Sequence, residues 1–478
     1  MNHFINNVFT PGASGQRIPV RNKATGAVID SVPDGDAQDA EAAICAAHAA
    51  QSLWAGTLLA QRVKVQHAAA DAMRQHADEL AKLITLEVGR PLAGSLTEVE
   101  RSADLLDFYA EEGLRLRGEM PLLNEPDQRV LVTHQPVGVV SIIAPFNFPI
   151  TLLMLKLGAA LVAGCAVVAK PSEDTPLSTL RLAQLFAQAG YPSGVFNVVT
   201  GYGQTLGQAL ITHPLVRKVS FTGSVPTGQR IAAQAAGLGK RLTLELGGQC
   251  PALVYEDADL DAAIPAMVKH AYSNSGQYCY RINRIYVLEA IYEAFVERFG
   301  AGARALTVGD PFDANVQLGP VIGDKILSRA EAHVADALAR GAHLVCGGQR
   351  LRGGLYDGGC FFPPTALAGC TQRMKVMCEE TFAPVVGIMP VATRQQAITL
   401  ANDSEYGLAA FVFTRDAGAG LRAAEQVEAG SVWVNNIHRS YHMVPFGGMK
   451  NSGLGREKGR YAIESYLEPK TIYLGLSG

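Results

Sequence analysis

Between residues 137 and 245 the chain alternates short apolar runs with segments long enough to form helices. The segments 137–144, 166–170, 195–199, 218–222 and 241–245 read as strands. Their apolar residues are mostly continuous rather than alternating, so both faces should be buried, which calls for parallel strands with helices on each side. A doubly wound nucleotide-binding architecture follows. A second alternation begins at Pro251, with strands expected at 252–255, 284–288, 343–345, 408–414 and 431–435 among helices such as 325–340, and predicts a second α/β domain. Ahead of both, residues 37–116 are rich in Ala, Leu and Glu, with few breakers before Gly89-Arg90-Pro91, and predict helices packed on a sheet edge. Residues 118–133, broken by proline and charge, and residues 466–474, which alternate, are expected to be extended edge strands for subunit pairing. There is no internal repeat and no low-complexity run.

Composition narrows the functional classes. A chain of 478 residues needs more than one hydrophobic core. Apolar residues at 48% against 18% charged exclude a disordered chain. A net charge of -3 leaves no cationic excess for nucleic acid or an anionic membrane surface. The eight cysteines, at 45, 165, 250, 279, 346, 360, 370 and 378, show no CxxC pair and no Cys/His spacing suited to zinc, so neither a metal site nor a disulfide framework is expected. The first residues lack a basic stretch followed by a long apolar run, so a reducing, cytoplasmic setting is expected. Residues 150–169 are apolar enough to suggest a membrane span. Lys156 interrupts them and Gly164 splits them, which predicts a buried helix followed by a strand.

Five local patterns carry candidate chemistry. Phe221-Thr222-Gly223-Ser224-Val225-Pro226-Thr227-Gly228 follows one expected strand and opens a helix, where amide donors and the helix dipole suit a pyrophosphate; a purely structural turn is the alternative. Ala169-Lys170-Pro171-Ser172-Glu173 ends another strand with a cation and an acid that suit a ribose diol, and the acid would repel a 2'-phosphate, pointing to NAD; a solvated ion pair is the alternative. Asn274-Ser275-Gly276-Gln277-Tyr278-Cys279 places a cysteine after a glycine-containing turn, as a nucleophile or an inert buried thiol. Leu244-Glu245-Leu246-Gly247-Gly248 places a carboxylate among apolar neighbours, as a general base or a structural glutamate. Ala144-Pro145-Phe146-Asn147-Phe148-Pro149 holds an amide between prolines, as an oxyanion donor or a local turn former.

Taken together, and with Glu379-Glu380-Thr381-Phe382-Ala383-Pro384 and Pro445-Phe446-Gly447-Gly448-Met449-Lys450-Asn451-Ser452-Gly453, these patterns resemble the aldehyde dehydrogenase superfamily over essentially the whole chain. Only Ala383, where glycine is commoner, departs from the pattern. The resemblance implies an α/β, aldehyde-dehydrogenase-like fold of two doubly wound domains with a small β oligomerisation element. Residues 1–117 and 135–247 would bind NAD, 248–460 would form the catalytic domain, and 118–134 and 461–478 would supply oligomerisation strands of a homodimer or homotetramer. It further implies Cys279 as nucleophile, Glu245 as base, and Asn147 with the Cys279 amide as oxyanion hole. Ile143, Lys170, Glu173, Thr222, Gly223, Ser224, Leu246, Glu380 and Phe382 would contact the cofactor.

The implied chemistry is oxidation of a small-molecule aldehyde through a cysteine thiohemiacetal and thioester. Its hydrolysis needs the Glu245 carboxylate, which argues against CoA-acylating relatives. A non-redox thioesterase and a non-catalytic binding protein are the competing readings. The resemblance places Phe148, Leu152, Leu155, Tyr278, Tyr280, Tyr441 and Phe446 along the aldehyde tunnel, and the arginine that semialdehyde branches commonly carry at the Leu155 position is absent. A neutral aliphatic or aromatic aldehyde is therefore expected, with an anionic semialdehyde such as succinate semialdehyde as the alternative if Arg281, His438, Arg439 or His442 receives the anion.

Overall fold

The computed structural model describes residues 1–437 and 441–476. Among them, two sheets carry the architecture. In the first, eight strands run in the order Val8–Thr10, His3–Ile5, Phe196–Val198, Val167–Lys170, Val139–Ile143, Val216–Thr222, Arg241–Glu245, Gly453–Leu454. The five central strands are parallel, and the flanking pieces join antiparallel. The chain winds outward from Val139–Ile143 in one direction, then returns to start Val216–Thr222 on its other side. That reversal leaves a crevice beyond the carboxyl ends of these two strands, the place where open α/β sheets bind ligands.

The second sheet has seven strands in the order His343–Cys346, Thr365–Ala368, Val385–Val391, Ile282–Leu288, Cys250–Val254, Ala409–Phe413, Ser431–Val434, all parallel except the first. All ten strands expected from the sequence in these two regions are present, with shifts of up to two residues at their ends. Thr365–Ala368 and Val385–Val391 were not foreseen, the latter because Gly387 and Pro390 break its pattern. Gly387 is there because a Cβ would come within 2.5 Å of the Met377 sulfur. The short N-terminal strands, including the hairpin of Arg17–Arg21 with Val28–Pro33, were also not foreseen.

The helical region divides into Ala37–Gly56, Leu59–Gln75, Ala77–Val88 and Leu92–Gly113. Asp36 starts the first by accepting from the Gln38 and Asp39 amides in a capping box. The apolar segment around Lys156 is the buried helix Thr151–Ala163, ended by Gly164 in a left-handed conformation (φ 96°), and the strand Val167–Lys170 follows. No helix among the described residues is long and apolar enough to cross a membrane. The two expected edge strands pair with each other. Gln128–Pro136 runs antiparallel to Leu467–Gly475 in register from Leu467 opposite Pro136 to Gly475 opposite Gln128. The first of these begins later than residue 118 because residues 120–127 are irregular, with only Glu119 bridged to Val132.

Candidate active site

Four of the five patterns meet at the carboxyl ends of the first sheet. Asn147 follows Ile143, Lys170 ends its strand, Thr222 leads into Gly223-Ser224, and Glu245 closes the strand beside it. Lys170 is buried and its Nζ donates to the Pro171 carbonyl at 3.1 Å and to Oε2 of the half-exposed Glu173 at 3.4 Å. Ser224 precedes the helix Val225–Ala236 and is exposed, with no side-chain cap on the first amides. Those amides and the helix dipole suit a phosphate. Gly228 lets this helix lie against Leu246, where a Cβ would overlap the leucine side chain, and the Gly223 amide donates to the Glu245 carbonyl at 3.0 Å. Across the crevice, Glu380 Oε1 accepts from the Gly248 amide at 3.0 Å, and a Cβ on Gly247 would fall 2.5 Å from Glu380 Oε2. Burial pushes the Glu380 carboxyl up to about 7. Phe382 stands beside it with φ 57°, a left-handed backbone rare for a bulky residue, its ring edge-on to Phe146 at 5.8 Å. An acid beside a buried lysine, an open helix end and glycines that keep space clear form a donor set that fits a dinucleotide.

Cys279 reaches this crevice from the second unit. Asn274, Ser275 and Gly276 take left-handed conformations in succession (φ 50°, 54° and 74°), making a tight turn. A Cβ on Gly276 would overlap the Ala383 carbonyl, so the turn needs glycine both for conformation and for space. The Asn274 amide donates to the carbonyls of Asn147 (3.0 Å) and Gln277 (3.1 Å), and the Asn147 amide also donates to the Gln277 carbonyl at 3.1 Å. The oxyanion candidate and the cysteine loop are thus fastened together across the two units.

The thiol is held well above its ordinary range by burial first, then by the neighbouring Cys250, Glu380 and Glu245, while the Tyr280 amide eases the shift. Glu245 is buried and neither carboxylate oxygen has a hydrogen-bond partner among the described residues. Burial raises its pKa well above the carboxylate range, Glu457 adds to this, and Lys156, Arg456 and Lys458 oppose it. Gly447 leaves it room, since a Cβ there would sit 2.7 Å from Glu245 Oε1. A carboxylate whose charged form is disfavoured by burial takes up a proton more readily than an exposed one, the property a general base needs.

Lys156, the charge that breaks the apolar helix, is fully buried, pairs with Glu457 and donates to Thr222 Oγ1 at 2.5 Å. Reading the sequence identified the interruption but not its partner.

Four of the seven expected tunnel residues form one aromatic wall. The Phe148 ring lies 5.5 Å from that of Tyr278, Tyr278 4.1 Å from Tyr280, and Tyr280 5.1 Å from Phe446. Leu152 and Leu155 are buried in the core of the first unit, and Tyr441 is 50% exposed. Arg281 does not face this wall as an anion receptor. Its guanidinium is buried and donates to the carbonyls of Ala271 (3.4 Å), Ile282 (3.2 Å) and Val385 (3.0 Å), tying the cysteine loop to the second sheet. His438 and Arg439 lie outside the described residues. Two cations that the sequence reading did not single out belong to the same neighbourhood. Lys458 Nζ stands 5.4 Å over the Phe446 ring, and the charge of Arg101 acts on Tyr278, Tyr280 and His442.

Comparison with known proteins agrees with this geometry. The model of the aldehyde dehydrogenase family matches residues 9–472. A 3-sulfolactaldehyde dehydrogenase of Pseudomonas putida is 41% identical over 472 residues, covering 99% of this chain and 96% of the relative. An NADP-dependent succinate-semialdehyde dehydrogenase of Escherichia coli is 41% identical over 99% of this chain and 97% of its own length. Among solved structures, an NADP-dependent enzyme of E. coli superposes with a TM-score of 0.97 at 41% identity, covering 99% of this chain and 98% of that one. Betaine aldehyde dehydrogenase of Staphylococcus aureus, in complex with NAD+, gives 0.97 at 35% identity over 100% of this chain and 95% of that one. With a cysteine, a buried glutamate and a crevice that fits a dinucleotide brought together, and the match spanning nearly its whole length, the chain belongs to the aldehyde dehydrogenase family.

Proposed function

We propose that this dehydrogenase oxidises an aldehyde bearing a second, anionic group to the corresponding acid, with NAD as the hydride acceptor. The observation that carries the substrate class is full-length similarity to dehydrogenases named for 3-sulfolactaldehyde, succinate semialdehyde and glutarate semialdehyde, substrates that each end in an oxyanion. This favours the anionic alternative over the neutral aldehyde expected from the apolar tunnel. The missing arginine at Leu155 removes one possible receptor, not every one.

In this reading the Cys279 thiolate attacks the aldehyde carbon, and the Asn147 amide with a backbone N–H steadies the oxyanion that forms. Bound NAD supplies the hydride acceptor. Glu245 then takes a proton from the water that hydrolyses the thioester, and its raised pKa suits that task. The aromatic wall of Phe148, Tyr278, Tyr280 and Phe446 holds the carbon chain.

Residues 1–117 with 135–247 serve the cofactor and 248–460 the chemistry. Segments 118–134 and 461–478 serve oligomerisation: the ribbon of Gln128–Pro136 with Leu467–Gly475, with Leu122, Tyr473 and Leu474 exposed, suits pairing with another copy in a homodimer or homotetramer. A cytoplasmic setting fits a working thiol among eight free cysteines.

Succinate semialdehyde should exceed butanal and benzaldehyde in kcat/KM by more than about tenfold, or 1.4 kcal/mol of transition-state discrimination. Equal or better oxidation of the neutral aldehydes would restore the neutral-substrate reading. The cofactor preference rests on Glu173, whose carboxylate beside Lys170 would accept from a ribose diol and repel a 2'-phosphate. NAD should outperform NADP, and Glu173→Ser should narrow the gap by about tenfold. A wild-type preference for NADP would show that the acid does not set the choice.

A further inference from the structure

An anionic substrate in an aromatic tunnel needs a cation, and neither position 155 nor Arg281 provides it. Position 155 is leucine, and Arg281 is committed to three backbone carbonyls. Lys458 differs from both in a way that is visible in its backbone. It has φ 62° and ψ 169°, a combination that is essentially restricted to glycine because a Cβ collides with the backbone there. A lysine is held in this conformation only if the surroundings enforce it, and such outliers gather at ligand-binding sites. The residue is 9% exposed, and the ammonium stands over Phe446, which packs on Tyr280 in the aromatic wall. Phe446 precedes Gly447, where a Cβ would sit 2.7 Å from Glu245 Oε1, so the ammonium stands beside the buried glutamate and the cysteine loop, and its charge acts on both. Its sequence neighbour Glu457 is engaged on one oxygen by Lys156.

Resting on the semialdehyde reading above, we propose that Lys458 receives the oxyanion at the far end of the substrate and sets the preference for anionic over neutral aldehydes. A carboxylate or sulfonate there gains a charge-assisted hydrogen bond in a partly dehydrated site, where such bonds are strongest. The strained backbone is then a local cost of function, as expected where stability and activity conflict.

Lys458→Gly separates this role from a structural one, because glycine suits the backbone and removes only the side chain. The purified full-length variant should melt at the same temperature as the wild type or higher. Its ratio of kcat/KM for succinate semialdehyde over butanal should fall by about tenfold or more. Lys458→Arg should keep most of the preference. Running 3-sulfolactaldehyde alongside succinate semialdehyde tells a sulfonate from a carboxylate as the bound group. An unchanged ratio in Lys458→Gly, including a parallel loss on both substrates, overturns the proposal, and so does a lower melting temperature. If the wild type shows no preference for either anionic aldehyde over butanal, the semialdehyde reading itself fails, a result distinct from a preference that survives loss of Lys458.

Discussion

Glu245→Gln should release one equivalent of NADH per subunit on mixing with aldehyde and NAD and then turn over about 10²–10⁴-fold more slowly than the wild type. Glutamine has nearly the shape of glutamate, so it fits beside Gly447, where the space is set by a glycine without a Cβ. What it lacks is the ability to take a proton from water. Attack by Cys279 and hydride loss precede that need, so the first turnover survives and the thioester accumulates. Cys279→Ser should abolish both phases, since neither thiohemiacetal nor thioester can form. Stopped-flow NADH absorbance, with mass spectrometry of the trapped acyl-enzyme, reads both variants. Normal steady-state turnover by Glu245→Gln would transfer the base to another group, for which the buried Glu380, pushed up to about 7, would be the next candidate.

Glu98→Ala should destabilise the protein by about 3–5 kcal/mol, the cost of breaking a buried ion pair from one side. Glu98 is buried on the helix Leu92–Gly113 and serves two partners. One oxygen accepts from the amides of Ile150 (3.0 Å) and Thr151 (2.9 Å), where the buried helix Thr151–Ala163 begins. The other pairs with Arg90, itself buried, whose guanidinium lies 4.4 Å over the ring of Phe148 in the tunnel wall. Burial already lowers the Arg90 pKa to about 9, so this cation has little solvent to fall back on. Removing the carboxylate leaves a dehydrated guanidinium and two unmet amide donors. Glu98→Gln keeps an acceptor for the amides and should cost less than the alanine variant. Chemical denaturation of both variants tests the order. A loss of under about 1 kcal/mol for Glu98→Ala would mean that water replaces the carboxylate, contrary to what the burial of both charges implies.

The sequence by itself determined the two largely parallel sheets, the buried helix at residues 151–163, the glutamate, asparagine and lysine at or just beyond strand ends, and the cysteine after its glycine-containing turn. These depend on local pattern: a strand buried on both faces must be apolar throughout, and a chain that turns sharply at its end needs glycine or proline there. Periodicity says which face of a segment is buried, but not which distant segment covers it. Only the tertiary structure decided that Lys156 meets Glu457 across 301 positions, and that Gly453–Leu454 returns from the far end of the chain to pair with the strand ending in Glu245. The same limit explains Arg281. It lies two positions beyond Cys279 in sequence, yet the tight turn before that cysteine and the strand that starts at Ile282 direct it into the second unit, toward carbonyls that no pattern could foretell. Lys458 was illegible for a different reason: its significance lies in a backbone conformation that its residue type would not suggest, and that conformation exists because the packed fold enforces it.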